Sequence, residues 1–190
     1  MTSKLCVLTT VVSSLLSFSA LASEKTNLVG SIAPVPVFTT MDGNYVAMSQ
    51  YYTSATNAPK CESEGVVVLD FMSLTCVPCR KKLPIFLETV REAAQKAPEG
   101  MKIHYFLVSL DPLSAKEKLR EFMVQQNVKV ESELLLDPYH RSAAKFTVKS
   151  IPRTFVISAK GIIVCDIGGT TDEQYREELK RGIATALGGD

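Results

Sequence analysis

The sequence has no tryptophan and only two histidines, His104 and His140, far apart along the chain. No second Cys-x-x-Cys accompanies the one at Cys76 and Cys79. A structural zinc site needs four ligands, so this pair lacks the partners that would make it half of one. Net charge is nearly absent too: 21 Lys and Arg meet 20 Asp and Glu, leaving +1. So mixed a surface argues against nucleic acid or an anionic membrane as the main partner. Internal repeats, low-complexity tracts and long runs of like charge are also missing. At the N-terminus, Lys4 is the only charge before Glu24. Leu5 to Ala22 is apolar and rich in Ser and Thr, and Ala20-Leu21-Ala22 is an A-x-A cleavage pattern. Residues 1–22 therefore read as a secretory signal peptide cleaved after Ala22. The alternative is an uncleaved anchor, which the small residues and modest hydrophobicity disfavour. The expectation is a periplasmic or otherwise exported protein with no stable membrane insertion.

What remains, residues 23–190, suits one globular domain, since 46% of the chain is hydrophobic. Removal of the leader takes one Lys and no acid, so the mature chain carries no net charge. It also takes Cys6 and leaves four cysteines: Cys61, Cys76, Cys79 and Cys165. An even count in an oxidising compartment fits two pairs.

The chain is organised around residues 66–79. Val66 to Phe71 is an apolar run and reads as a buried strand. It delivers Cys76-Val77-Pro78-Cys79 to a helix read over Arg80 to Ala97. The first N–H groups of a helix lack partners, and its dipole places partial positive charge there. A thiolate at Cys76 is stabilised by that field. Cys79, about one turn on, is placed to attack a mixed disulfide formed at Cys76. Asp70 ends the apolar run. As a strand-end acid it would face water; buried, its pKa would rise toward that of a useful general base. Arg80, Lys81 and Lys82 are read as solvated, the alternatives being added positive potential near Cys76 or pairing with an acidic partner.

Before this stretch, Val37–Thr40 and Asn44–Ala47 flank a turn signal and predict a hairpin, and residues 49–65 a loop. After it, Pro84 falls inside the helix and should kink it. Ile103–Leu110 predicts a parallel strand, with His104 structural rather than catalytic. Ser114 to Glu117 reads as a capping box opening a helix to about Gln126. Leu134–Leu136 predicts a short strand, Pro138–Phe146 a short helix, and Ser150–Ile157 and Ile162–Ile167 two more strands. Thr171 to Gln174 is a second capping box, opening a helix to Leu187. This order predicts an α/β three-layer sandwich.

These features resemble the thioredoxin superfamily, and within it the exported TlpA/ResA-like thiol–disulfide oxidoreductases, over about residues 30–188. The likeness rests on Pro78 before the second Cys, Asp70 six residues before Cys76, and Pro84 eight after it. It also rests on Ile151-Pro152, on Asp137, Phe146 and Val148 leading to it, and on Gly168-Gly169. Thr75 and Met72 depart from it, standing where Trp and another aromatic are usual. So does Lys82, where the ResA-like group carries a Glu implicated in cytochrome c maturation. The resemblance implies a thioredoxin-like fold with an N-terminal β-hairpin extension and a cis Ile151–Pro152 bond. It also implies substrate docking at Ile151, Pro152, Val77 and Pro78, and recharging by a membrane electron donor of the DsbD/CcdA type. No cofactor and no metal are expected.

The leading reading is reduction of disulfide-bonded proteins by the Cys76/Cys79 dithiol. The first rival is a DsbA-like oxidase of protein thiols, whose sites place His before the second Cys. A peroxidase needs a P-x-x-x-T-x-x-C pattern, and Leu69 and Ser73 stand in its Pro and Thr positions. A fold-related copper-delivery protein uses one more residue between its cysteines. The remaining cysteines, Cys61 and Cys165, are expected to form a structural disulfide closing about 100 residues. Two unpaired thiols are the alternative.

Overall fold

The computed structural model describes residues 28–52 and 65–188. The expected signal peptide and Cys61 lie outside them. A seven-stranded sheet is built from β1 (Val37–Thr39), β2 (Tyr45–Ala47), β3 (Val66–Met72), β4 (Ile103–Ser109), β5 (Leu134–Leu136), β6 (Arg153–Ile157) and β7 (Ile163–Ile167). Their spatial order is β2-β1-β5-β4-β3-β6-β7. β3, β4 and β5 run parallel, while β6 and β7 pair antiparallel beyond β3. The hairpin joins the far edge through one antiparallel pair, Thr39 with Leu136.

All seven residues of β3 are buried, as an apolar run covered on both faces demands. Its pleat divides the core. Val66, Val68 and Met72 pack among α1 (Val77–Gln95), α2 (Lys116–Gln125) and α5 (Asp172–Ala186). Val67, Leu69 and Phe71 face Phe38, Tyr52, Phe146 and Phe155. The result is the three-layer thioredoxin-like sandwich that the sequence predicts. A lead-in segment straps β7: Gly30 N–H donates to the Ile163 carbonyl at 2.8 Å, and Ala33 N–H to that of Gly161 at 2.7 Å. Among the described residues no helix is long and apolar enough to cross a membrane.

Several boundaries differ from the sequence reading, each for a local reason. α1 starts at Val77, not Arg80, because Cys76 is its N-cap and Pro falls in its first two positions, where a missing N–H costs nothing. Pro84 sits within the helix, which continues through it. The Ser114 capping box does not form. Pro112 opens a 3-10 turn over Leu113–Ala115, and α2 begins at Lys116 without a side-chain cap. The short helix read over Pro138–Phe146 shrinks to α4 (Arg141–Lys145), preceded by His140 at φ 55°. A one-turn helix, α3 (Val130–Glu133), was not foreseen. The Glu133 carboxylate holds it in place, accepting from Arg91 at 2.9 Å and Tyr105 at 2.8 Å. The second capping box forms fully, with Thr171 and Gln174 exchanging hydrogen bonds.

Candidate functional site

The parallel strands end where β3 passes into residues 73–76. Cys76 is extended, at φ −80° and ψ 98°, and its sulfur accepts the Cys79 N–H at 3.2 Å. Cys76 and Cys79 form a disulfide with their Cα atoms 5.3 Å apart. The two sulfurs are unequal: Cys76 is half-buried, whereas Cys79 is 2% exposed. An incoming thiolate therefore reaches Cys76 and not Cys79. The Cys79 N–H, in the first turn of α1, points at the same sulfur, so negative charge left on it is stabilised.

The Ile151–Pro152 bond is cis, and the Ile151 carbonyl oxygen lies 3.7 Å from Cys76 Sγ. Ile151 and Pro152 are half-buried, while Val77 and Pro78 are exposed beside them. The four residues expected to dock substrate thus surround the accessible sulfur. Just after Pro152, Arg153 grips Asp166 through two contacts, Nε to Oδ1 at 2.5 Å and a terminal nitrogen to Oδ2 at 2.7 Å. A Cβ at Gly168 would lie 2.7 Å from the Arg153 guanidinium, so the glycine leaves room for this clamp.

Asp70 is buried, as one of the two readings required, on the β3 face that packs against α1 and α5. Its Oδ1 accepts a 2.6 Å hydrogen bond from Thr154 Oγ1, which lies 2.8 Å from the Tyr175 hydroxyl. Thr154 spends its one proton on Asp70, so Tyr175 donates to Thr154. Burial pushes the Asp70 carboxyl up to about 7, against the opposing pull of the Thr154 and Tyr175 hydroxyls and the Lys82 ammonium. Burial, then the nearby Asp70 charge, drives the Tyr175 phenol well above its ordinary value.

Lys82 is a correction. It was read as solvated, but it is 8% exposed. Its Nζ donates to the Thr170 carbonyl at 2.6 Å and the Thr171 carbonyl at 3.3 Å, and lies 3.7 Å from Asp172. It also sits 4.8 Å from the centre of the Tyr175 ring. Arg80 and Lys81 are exposed, as expected. The helical period held the signal: Cys79, Lys82, Leu83 and Phe86 share one buried stripe.

Asp111 was missed. This buried carboxylate accepts from Ser73 Oγ at 2.8 Å, Leu74 N–H at 2.9 Å and Ser109 Oγ at 2.8 Å. It pins the loop that presents Cys76. Ser73 and Leu69 occupy the positions where the peroxidase pattern has Thr and Pro. Ser73 is engaged with Asp111, and Leu69 is buried within the sheet.

Away from this site, Cys165 on β7 carries a free, half-buried thiol 3.6 Å from the Glu178 carbonyl. It lines a cavity of about 420 Å³ between β7 and α5. Burial pushes its pKa up. The other half of the expected second bridge, Cys61, lies outside the described residues. His104 packs edge-on against Tyr51, ring centres 4.8 Å apart.

A pair of bonded sulfurs that differ in exposure, the outer one against the carbonyl of a cis Ile-Pro bond, is equipped for thiol–disulfide exchange. Known proteins agree in fold. A crystal structure of a candidate thiol:disulfide interchange protein DsbE from Chlorobium tepidum superposes with TM-score 0.64 at 24% identity, covering 84% of this chain and 97% of that one. The thioredoxin domain of a thiol-disulfide oxidoreductase from Bacteroides vulgatus gives 0.61 at 18% identity, covering 84% and 97%. The thiol-disulfide oxidoreductase ResA of Bacillus cereus is 24% identical over 161 residues, 84% of this chain and 82% of that protein. The AhpC/TSA family profile matches residues 30–165, and on that match the chain belongs to the AhpC/TSA family, within the thioredoxin-like fold.

Proposed function

We propose that this protein is an exported thiol–disulfide oxidoreductase that reduces disulfides in other proteins. The observation that carries the reading is the asymmetry of the sulfurs: Cys76 accessible at a helix N-terminus, Cys79 enclosed behind it. In the reduced enzyme the Cys76 thiolate attacks a substrate disulfide. One enzyme–substrate S–S bond forms and one substrate thiolate leaves. Cys79, losing its proton toward Asp70, then attacks Cys76 Sγ and expels the second substrate thiolate. The enzyme ends as the Cys76–Cys79 disulfide, having passed on two electrons. A membrane dithiol donor of the DsbD/CcdA type returns them. The ResA relative supports the exchange chemistry, Pro78 rather than His before Cys79 weighs against the oxidase direction, and the segment before Glu24 supports export.

Cys79→Ser traps mixed disulfides through Cys76, seen as reductant-sensitive adducts on a non-reducing gel. Adducts that persist when Cys76 is also replaced by Ser defeat the assignment. Equilibration with glutathione buffers tests direction. A potential below about −250 mV makes the couple a reductant of ordinary protein disulfides, and one near about −120 mV makes it an oxidase.

A further inference from the structure

We propose that the partner segment entering this site is an extended polypeptide whose cysteine is flanked by acidic side chains. This deepens the oxidoreductase reading and rests on it. Residues 76–87 and 138–153 carry seven basic side chains and no Asp or Glu, although the chain as a whole is almost neutral. Lys82 and Arg153 are occupied inside the fold. The other five, Arg80, Lys81, Arg141, Lys145 and Lys149, are exposed. Among the described residues none of the five stands in an ion pair, and no Asp or Glu lies in either of their two segments to offer one.

Four of these five stand at the disulfide's end of the sheet. Arg80 and Lys81 directly follow Cys79. Lys149 lies two residues before Ile151, whose carbonyl faces Cys76 Sγ. Arg141 follows His140, whose ring nitrogen lies 3.0 Å from the Leu110 carbonyl, and Leu110 N–H in turn donates to Met72 at the end of β3. The acids at this end are mostly engaged: Asp111 and Asp137 by buried donors, Asp166 by Arg153, Asp172 by Lys82. Glu117 and Glu173 are exposed, at the starts of α2 and α5. Two apolar side chains stand among the cations, Val77 at 49% and Tyr139 at 72% exposed. A partner of opposite charge gains in encounter rate at such a face, and the gain fades as salt screens it.

The test uses the reduced mature protein and three synthetic peptides of equal length. Each holds one cysteine capped as a mixed disulfide with 2-mercaptoethanol, and the flanks are Asp/Glu, Ser/Asn or Lys. At about 10 mM ionic strength the acidic peptide should react about tenfold faster than the neutral one and the basic peptide slowest, with the spread closing near about 0.5 M salt. R141E/K149E, which cuts the net charge of the five positions to +1, should close most of the spread at low salt. Equal rates for the three peptides at low salt, or an undiminished spread in the variant, overturn the proposal while leaving the oxidoreductase reading intact. No reaction with any peptide overturns both.

Discussion

Asp70 and Asp111 are equally deep, 4% and 6% exposed, the one on β3 and the other just beyond β4. Asp111 is surrounded by donors, two hydroxyls and a backbone N–H, all aimed at its oxygens. Asp70 receives one hydroxyl, with a phenol behind it and an ammonium at the margin. Depth alone therefore does not set what a buried acid does. A carboxylate given enough donors becomes a strut. One given too few holds its proton near neutrality, as the proposed proton exchange with Cys79 requires.

The largest effect expected from breaking this comparison is at the strut. Asp111→Ala strands three buried donors and should destabilise the fold by about 4 kcal/mol. In calorimetry that is a fall in Tm of roughly 8–16 °C. A fall under about 2 °C would show that the loop holds its shape without the carboxylate.

Asp70→Asn should act in the opposite sense. The folded pKa of about 7 stands above the ordinary value near 4. Between those pH values the folded chain keeps a proton that the unfolded chain has lost. Stability is therefore full below about pH 4, declines as pH rises through that window, and stays low above about 7. The deficit at pH 8 is on the order of 4 kcal/mol. Asn removes it, so urea midpoints should rise at pH 8 and match wild type near pH 4, while resolution of the mixed disulfide slows. A gain independent of pH would separate the stabilisation from the titration of Asp70.

Lys82→Met sharpens the contrast from the other side. It removes the one cation that opposes the upward shift of Asp70. The pH profile of disulfide reduction should move to the alkaline side, and Lys82→Arg should restore it. A profile superimposable on wild type would confine Lys82 to its ties with Thr170 and Thr171. The smallest effect is expected from Ser73→Ala, which takes one of three donors from Asp111. About 1 kcal/mol should be lost, a Tm fall of about 2–4 °C. A loss as large as that of Asp111→Ala would mean the donors act as a unit.

Much of this was legible in the residues. The run from Val66 to Phe71 reads as a buried strand, and a Cys-x-x-Cys between it and a helical stretch falls at a helix start, which is where both stand. Period-two and period-four patterns are local, so β4, β5 and α5 emerged near their observed bounds. Asp111 was not legible because its donors come from Ser73 and Leu74, far back in the chain, across two adjacent strand ends. Lys82 was hidden by its neighbours. Three consecutive basic residues look uniformly solvated, yet successive helix positions turn by about 100°, so such a triplet cannot all face water when Cys79 and Leu83 face the core. The failed cap at Ser114 has a local cause: Pro112 commits the chain to a 3-10 turn before the serine can act.

The strap over β7 has a practical consequence for handling the molecule. As β7 climbs from Ile163 toward Ile167, the strap descends in sequence from Ala33 to Leu28, and Leu28 N–H reaches Asp166. Ile167 pairs with Thr154, and Thr154 with Asp70, one layer below the disulfide. The described chain thus begins beside the Arg153–Asp166 clamp. α5 runs the other way, starting beside Lys82 and finishing where Leu187 meets Ala93 and Lys96 at the tail of α1. A label attached at Leu28 sits beside the Arg153–Asp166 clamp that follows the cis-proline, while one attached at Gly188 sits just past the tail of α5, away from that clamp.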